Sequence, residues 1–204
     1  MYLPSQFNHP QHAAAIMREH PFASLVSTDG DGFPFVTHLP LKLIEEGGEP
    51  VALLGHCARA NPHAGFLQAR PQALVTFMGP QAYMSPAVYP DLLRVPTWTY
   101  LAVHARVEAR MLDGDDAKDA MLKQMIADHE PAYVDQWRAL PESYAHGMLN
   151  GIVAFELKIL DLKTKVKINQ HRPESHAAMH AAYAQGGEQE QALAQWMQRL
   201  GMVA

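Results

Sequence analysis

The strongest constraint on the fold of this chain is a series of short segments with alternating apolar and polar residues, separated by tight turns. Residues 22–27 and 33–44 flank the turn Asp29-Gly30-Asp31-Gly32, and Gly47-Gly48 makes a second turn before the apolar segment 51–54. Alternation with a period of two places one face of each strand in a core. Further strands are predicted for residues 73–78 and 97–111, and residues 152–162 and 163–168 form a last strand or strand pair. Short strands at this spacing are typical of an antiparallel barrel or sandwich.

Predicted helices lie at the start of the chain, in one insertion and near its C-terminal end. The first begins near Asn8 or His9 and ends before Pro21, and the helix of the insertion is capped by Asp113 or Asp115. The helix of the insertion reaches about His129 and carries an apolar stripe of Met121, Leu122, Met125 and Ile126. The other predicted helices cover residues 61–69 and two amphipathic segments within 173–200. Residues 79–96 contain four prolines and are predicted to be irregular. Helices that are segregated from strands argue against a doubly wound sheet.

The predicted fold class is therefore α+β, mainly β, with peripheral helices. The chain has 204 residues, of which 48% are hydrophobic and 18% are charged, a composition that excludes a disordered, highly charged chain. We expect one domain over residues 1–172, with a helical insertion near 115–148, and a C-terminal helical extension over residues 173–204.

The charge balance gives no general attraction for nucleic acid, because 16 Lys and Arg against 21 Asp and Glu leave a net charge of −5. Lys163, Lys165 and Lys167 alternate on one predicted strand and form a local cationic stripe. Such a stripe could meet a phosphate, a nucleic acid or only solvent. DNA therefore stays open as a partner, on the support of this stripe alone.

The sequence carries no established catalytic signature and no metal-binding motif, so the catalytic residues are unknown and no metal site is predicted. Cys57 is the single cysteine, which excludes an internal disulfide framework and four-cysteine metal sites. The first residues lack the features of a secretory signal, and no segment has the length and apolar character of a membrane span. We therefore expect a cytoplasmic protein without membrane partners.

Four segments are denser in special residues than packing requires, and each lies in or beside a predicted strand. They cover residues 37–41, 55–62, 79–86 and 95–100. Small, polar and aromatic residues in such places could hold a flat, partly apolar ligand with a charged tail. Within the second segment, Arg59 supplies a five-donor fork and Asn61 lies at the start of a predicted helix, a combination that suits a phosphate group.

These segments, in this order, make the chain similar to the FMN-binding negative transcriptional regulators, the PaiB-like family. The similarity rests on Met1-Tyr2-Leu3-Pro4, Pro21-Phe22-Ala23, Thr37-His38-Leu39-Pro40, Gly55-His56 with Ala58-Arg59-Ala60-Asn61-Pro62, Gly79-Pro80 with Tyr83, Pro96-Thr97-Trp98 with Tyr100, Gly151-Ile152-Val153 and the stretch from Lys167 to Arg172. The resemblance implies an antiparallel split β-barrel that forms a homodimer, with FMN in a groove at the subunit interface.

FMN presents a phosphate of charge about −2, a polar ribityl chain and a flat ring with a polar edge. With the family as a guide, Arg59 and Asn61 are expected to meet the phosphate and the ribityl chain. The strand from Thr37 to Leu39 would run along the ring, His38 and His56 would tune its electronics, and Trp98 with Thr99 would close the site from the other subunit. The full set of predicted cofactor-binding residues is Thr37, His38, Leu39, Pro40, His56, Arg59, Ala60, Asn61, Thr97, Trp98, Thr99, Gln170 and Arg172.

Three functions remain open from the sequence. The first is an FMN-binding protein that resembles PaiB-type transcriptional regulators. The second is a flavin-dependent oxidoreductase acting on a small molecule, since flavin chemistry needs no acid or base from the protein that the sequence would reveal. The third is a cofactor-free dimeric binding module. It is suggested by positions such as Thr99 and Val88, which lie in the segments expected to surround the ligand and differ from the family's usual residues.

Overall fold

Seven β-strands and seven α-helices make up the regular structure in a computed structural model that describes residues 1–91 and 93–203. The strands are β1 (Phe22–Thr28), β2 (Pro34–Pro40), β3 (Lys42–Glu46), β4 (Glu49–Ala58), β5 (Gln72–Met84), β6 (Thr97–Leu112) and β7 (Ile152–Lys167). The helices are α1 (Ala13–Glu19), α2 (His63–Ala69), α3 (Asp115–His129), α4 (Tyr133–Arg138), α5 (Glu142–Asn150), α6 (His176–Ala184) and α7 (Glu188–Arg199).

The strands form one antiparallel sheet in the order β2-β1-β5-β6-β7-β4-β3. Its two outermost strands, β2 and β3, follow each other directly in the chain and are separated by Leu41 alone. Strand β2 pairs with β1, whereas β3 pairs with β4. The amide of Leu41 donates to the carbonyl of Pro21 at 2.9 Å, which satisfies the backbone where the chain changes partner strands.

The contacts of the chain divide it into two compact units. The first unit comprises Met1–His20, Phe77–His104 and the residues from Lys163 onward, and the second comprises Pro21–Thr76 and Ala105–Leu162. Because β5, β6 and β7 each contribute residues to both, the long strands are shared between the units. Each unit has its own buried apolar side chains.

The core of the second unit is built from residues of its strands and from Leu41, which lies between β2 and β3. Leu25, Leu41, Leu53 and Phe155 are each at most 2% exposed. A second cluster joins the insertion to the sheet, where Met121 and Met125 of α3 pack against Leu54 and Ala154 with Ile44, Leu112, Leu122 and Ile152. The amphipathic face predicted for α3 is thus the face that is buried.

In the first unit the helices supply much of the core. Ile16 and Met17 of α1 are buried, as the sequence indicates, together with Leu101 of β6. The C-terminal pair α6 and α7 buries Met179, Tyr183, Leu193, Trp196 and Met197. Helix α7 begins at the turn Gly186-Gly187, where the Glu190 carboxylate accepts from the amide of Gly187 at 2.7 Å.

The sequence-based element predictions hold in most places and fail in three. The predicted strand 33–44 is two strands, because Leu41 marks the change of partner. Residues 79–84, predicted to be irregular, continue β5, and a Cβ at Gly79 would lie 3.0 Å from Cβ of Leu101, so a close approach between strands uses this glycine. Helix α3 is preceded by Gly114 at φ +83° and has no aspartate cap.

The insertion contains the three helices α3, α4 and α5 between Asp115 and Asn150. The segments 152–162 and 163–168, predicted as one strand or a strand pair, form the single strand β7. The division into domains at residue 172 stays a prediction. Leu92, within the predicted irregular segment, and Ala204, at the end of the predicted extension, lie outside the described residues.

Candidate functional site

A hydrogen-bonded cluster in the second unit joins strand β2 to the start of α2. Asn61 Nδ2 donates to Thr37 Oγ1 at 3.1 Å, and a hydrogen bond of 2.7 Å joins Thr37 Oγ1 to His63 Nδ1. Asn61 Oδ1 accepts from the amide of His63 at 3.0 Å. These three residues, which we call the Thr37 cluster, bring together two predicted site residues and one, His63, that the sequence did not single out.

His63 is fully buried, and its Nε2 has no hydrogen-bond partner among the described residues. Nδ1 of His56 on β4 is likewise a buried atom without a hydrogen-bond partner among these residues. Burial lowers the pKa of both histidines, which are therefore neutral near pH 7. Buried polar nitrogens without partners are uncommon in folded proteins, and two within eight residues mark this segment as one that a polar ligand or water would complete.

Arg59 is exposed at the end of β4 and is anchored to the insertion. Its amide donates to Gly151 O at 2.8 Å, Nε donates to Asn150 O, and Nη2 donates to Ile152 O at 3.3 Å. Nη1 takes part in neither side-chain bond. The guanidinium is therefore held in one orientation with one nitrogen left for a ligand, and the adjoining Ala60 is exposed in the turn that follows.

At the N-terminus of helix α2, where the sequence suggests a phosphate, one backbone donor is already engaged within the fold. The helix has seven residues, and the amide of His63 at its start is already bonded to Asn61 Oδ1. Cys57, which precedes this loop, is buried, and burial raises the pKa of its thiol, so the neutral form dominates.

Strand β2 presents neighbouring predicted residues to opposite faces. Thr37 is half-buried and Leu39 is 4% exposed, whereas His38 and Pro40 are exposed. His38 Nδ1 lies 3.0 Å from Ser24 Oγ, and its ring stacks on Phe22 with centroids 6.5 Å apart. Because successive residues of a strand point to opposite sides, Thr37 and His38 cannot contact a ligand from the same face.

The remaining predicted residues lie in the first unit and have different surroundings. Trp98 is 56% exposed and meets the ring of Tyr83 edge-on at 6.3 Å. Thr99 is fully buried, and its Oγ1 donates to Ala82 O at 3.2 Å and lies 2.7 Å from the hydroxyl of Tyr183. The hydroxyl of Thr99 is thus occupied by contacts within the fold.

Gln170 ties the N-terminal segment to the end of β7. Its Nε2 donates to Val166 O at 2.7 Å and to Gln6 O at 3.2 Å, and its Oε1 accepts from the amide of Ile168 at 3.0 Å. Every polar atom of this side chain is engaged inside the first unit, which points to a structural role. Its assignment to the cofactor stays a prediction.

A cavity of about 460 Å³ in the first unit collects several further polar residues, and we call it the cationic cavity. Its lining comprises Gln6, Phe7, Tyr89, Leu93, Arg94, Val95, Thr97, Thr99, Lys167, Asn169, His171 and Arg172. Thr97, Thr99 and Arg172 were predicted site residues, whereas Tyr89, Arg94 and Asn169 were not. In the sequence, Lys167 is singled out as a member of the lysine stripe.

The stripe itself is not a uniform solvent-exposed face. Lys163 is exposed, but Lys165 is 8% exposed, donates to Tyr2 O at 3.2 Å and lies 5.4 Å from the ring centroid of Tyr100. Lys167 donates to Thr97 Oγ1 at 2.7 Å. Two of the three lysines are therefore committed to contacts inside the first unit.

Comparison with known proteins identifies the family. Residues 1–161 match the model of a family described as "Putative FMN-binding domain". The chain belongs to this family. The protein "Protease synthase and sporulation protein PAI 2" from Bacillus subtilis (strain 168) is 32% identical over 179 residues, which cover 86% of this chain and 84% of that protein. The PaiB-like resemblance of the sequence is thereby confirmed, and FMN is the cofactor of this PaiB-like protein.

Solved structures agree on the architecture of the PaiB-like chain. An FAD- and heme-binding protein from Mycobacterium smegmatis has a TM-score of 0.60 at 16% identity and covers 79% of this chain and 73% of its own. A flavocytochrome from Azotobacter vinelandii has a TM-score of 0.60 at 16% identity, with 79% and 69% covered. At this identity the likeness shows the fold alone, and it confirms the predicted α+β split barrel.

Among residues 1–91 and 93–203, no group of three or more His, Cys, Asp or Glu side chains has the arrangement of a metal site. In the same part of the chain, no helix combines the length and apolar character that a membrane crossing requires.

Proposed function

We propose that the second unit holds FMN through strand β2 and the loop from Arg59 to Asn61, in a homodimeric PaiB-like regulator. The observation that carries this assignment is the Thr37 cluster, with the unpartnered His63 Nε2 beside it. Hydrogen bonds fix the Thr37 hydroxyl and the Asn61 amide before any ligand arrives, so little rotational entropy is lost on binding. The residues present therefore fit a ligand with a polar chain.

Each residue of this assignment has a distinct task. Arg59 offers Nη1 to a phosphate oxygen, with the guanidinium already oriented by the two carbonyls that it contacts. Strand β2 ends the strand order, so one of its edges keeps backbone donors and acceptors for the polar rim of a flat ring. His56 and His63 stay neutral and add no charge beside the ring. When bound, FMN supplies the capacity to accept and donate electrons.

Exposed apolar side chains support the homodimer in this proposal. Phe22 is 67% and Val36 is 45% exposed on the paired strands β1 and β2, and Trp98 is exposed in the first unit. Apolar surface of this kind is typical of protein interfaces. We assign Trp98 to a contact with the cofactor of a second copy. Sedimentation equilibrium of the FMN-loaded protein tests the dimer, and a monomer at micromolar concentration would exclude it.

The test of the FMN assignment is quenching of flavin fluorescence during titration of the purified protein. Arg59→Ala is expected to weaken FMN binding roughly tenfold or more, because a charged hydrogen bond to phosphate is lost. Arg70→Ala is the matched control, since Arg70 is also exposed and donates to backbone carbonyls, those of Thr28 and Asp29. Equal FMN affinity in the wild type and Arg59→Ala would refute the assignment.

A flavin-dependent oxidoreductase is the second candidate function, and the engagement of the lysine stripe favours it. Lys165 and Lys167 make internal contacts, so the cationic surface on which DNA binding depended is smaller than the sequence suggested. Reduction of bound FMN by NADH, NADPH or another biological donor would support this candidate. A shift of DNA in a gel at low salt, where phosphate contacts are strongest, would instead support direct regulation.

A cytoplasmic location belongs to the same proposal. The single thiol, Cys57, is buried and unpaired, which suits a reducing compartment. Fractionation of cells with an antibody against the protein tests it, and recovery outside the cytoplasmic fraction would contradict it.

A further inference from the structure

The cationic cavity has a charge balance that FMN bound by the second unit would leave unexplained. Lys167 and Arg172 both line it, and neither makes an ion pair with a carboxylate in residues 1–91 and 93–203. Arg94 differs, because its Nη2 lies 2.9 Å from Asp91 and 3.5 Å from Glu174. Two positive charges therefore face the cavity without compensation from the protein.

Lys167 is the more confined of the two cations. Its Nζ donates to Thr97 Oγ1 at 2.7 Å and lies 5.8 Å from the ring centroid of Tyr100. Burial lowers the pKa of Lys167, nearby Lys165 lowers it further, and Tyr100 acts in the opposite direction. Holding a partly desolvated ammonium group without a counter-charge costs free energy that an anion in the cavity would recover.

Asn169 adds a polar, hydrogen-bonded side chain to the lining of the cavity. Asn169 is 6% exposed and adopts φ +60°, in the left-handed region. Its Oδ1 accepts from the hydroxyl of Tyr89 at 3.1 Å, and its Nδ2 donates to Ser175 Oγ at 2.8 Å. Such a backbone conformation persists where the surrounding contacts fix it, and it is found often at ligand sites.

A further unpartnered polar atom belongs to the same cavity. Nε of Arg94 is buried and has no hydrogen-bond partner among the described residues, although Nη2 of the same guanidinium is paired. The guanidinium carbon also lies 4.9 Å from the ring centroid of Tyr89, a cation–π contact between two residues of the lining. The lining thus offers three nitrogen-based cationic groups, of which one is neutralised by carboxylates.

We propose that the cationic cavity binds a small organic anion of the carboxylate or phosphate-ester class between Lys167 and Arg172, as a second ligand distinct from FMN. The planar fork of Arg172 can bind two oxygens of such a group, and Lys167 supplies a point charge. A volume of about 460 Å³ lies within the usual range for small-molecule pockets. The inference goes beyond the proposed function, but it rests on that function's placement of FMN in the second unit.

The test is isothermal titration of FMN-saturated protein with inorganic phosphate and with malonate, at constant ionic strength set with sodium chloride. We expect Lys167→Met and Arg172→Gln each to weaken binding of the better probe roughly tenfold or more. Lys163→Met is the matched control, because Lys163 lies on the same strand but is exposed and outside the lining. It should bind the probe as the wild type does.

Melting temperatures in chloride separate lost binding from lost folding. Lys167→Met removes an uncompensated cation, so its melting temperature without the probe should equal or exceed that of the wild type, and addition of the probe should raise it less. Flavin absorbance during each titration reports whether the probe releases FMN. Binding with FMN retained, lost in both variants and kept in the control, supports the proposal.

Three results would overturn it. In the first, neither probe binds the FMN-saturated wild type. In the second, the probe binds equally to the wild type, Lys167→Met and Arg172→Gln. In the third, the probes displace FMN and the two variants lose FMN affinity in parallel, which would make the cavity a part of the cofactor site.

Discussion

The Thr37 cluster and the cationic cavity are both polar, yet they are balanced in opposite ways. In the cluster, three uncharged side chains satisfy one another and leave one nitrogen of His63 unpartnered. In the cavity, charged side chains face an open volume, and Lys167 and Arg172 have no carboxylate partner in the described residues. A region whose hydrogen bonds are already satisfied can hold a large cofactor in one position. A region with unpaired positive charge instead favours a ligand of negative charge.

The largest expected effect is that of a substitution at Gly55, which lies in β4 a few residues before the loop of the Thr37 cluster. A Cβ at Gly55 would lie 2.5 Å from Cδ2 of the buried Leu41 and 3.5 Å from Leu39 Cδ1 and Phe155 Cε2. Gly55→Val should therefore lower the free energy of unfolding by about 3 kcal/mol, the cost of overpacking a core. Urea denaturation measures it.

Gly65→Ala is the control for this change, because nothing lies within 4 Å of a Cβ at Gly65 in the short helix α2. Its stability should rise by up to about 1 kcal/mol through helix propensity. A loss of stability in Gly65→Ala similar to that in Gly55→Val would show that the close packing of β4 is not what matters.

The threonine of the cluster is expected to affect both stability and cofactor. Thr37→Val removes the acceptor of Asn61 Nδ2 and the partner of His63 Nδ1, so unfolding free energy should fall by about 2 kcal/mol. FMN affinity should fall with it in fluorescence titrations. Thr37→Ser keeps the hydroxyl and should retain most of both, and unchanged FMN affinity in Thr37→Val would remove the cluster from the cofactor site.

Thr99, which lines the cationic cavity, should affect the stability of the fold but not the affinity for FMN. Thr99→Val deletes the bonds to Ala82 O and the Tyr183 hydroxyl, and unfolding free energy should fall by about 1–2 kcal/mol. FMN affinity, measured below the unfolding transition, should stay within about twofold of the wild type. A selective loss of FMN with unchanged stability would place Thr99 against the cofactor, as the sequence suggested.

The smallest expected effect is a pH dependence of stability from the histidines of the second unit. Burial lowers the pKa of His63 and His56 below the ordinary value of 6.5, so the unfolded chain binds more protons as the pH falls below 6.5. Their contribution to stability is present above that value and is lost on acidification.

Thermal melting at about pH 7.5 and about pH 5.5 measures this dependence. His63→Gln should reduce the drop in stability between the two values by less than about 1 kcal/mol after solvent screening. The same substitution at an exposed residue of the insertion, His129→Gln, is the control for the change of side chain. An equal drop in His63→Gln and the wild type would show that His63 is not the responsible group.

The elements of the fold were predictable where the residue pattern is local. Ala13, Ile16 and Met17 repeat with helical spacing and are buried in α1, and the hairpin of β1 and β2 follows its Asp-Gly turn. The change of partner strands at Leu41 was not predictable, since the alternation of apolar residues continues unbroken across it. Pro80 also misled, because a proline normally excludes a strand interior, and β5 continues through it.

The candidate site residues were likewise predictable where they lie close together in the sequence. The segment from His56 to Asn61 is contiguous, and its unusual residues point to the region that the Thr37 cluster occupies. The cavity draws on separated stretches of chain around Gln6, Tyr89, Arg94 and Lys167, which no sequence spacing relates to one another. Gln170 and Thr99 are assigned to the cofactor from the family resemblance, and the hydrogen bonds that each makes inside the fold are visible only in three dimensions.

The direct connection of β2 to β3 has a consequence for how the second unit opens. In an ordinary sheet the two edge strands fray independently, each with its own opening free energy. Here one stretch of fewer than fifteen residues supplies both edges, so release of either strand pulls on the anchor of Leu41. Amide hydrogens on the two sides of Leu41 should then exchange with deuterium at matched rates, as one cooperative unit.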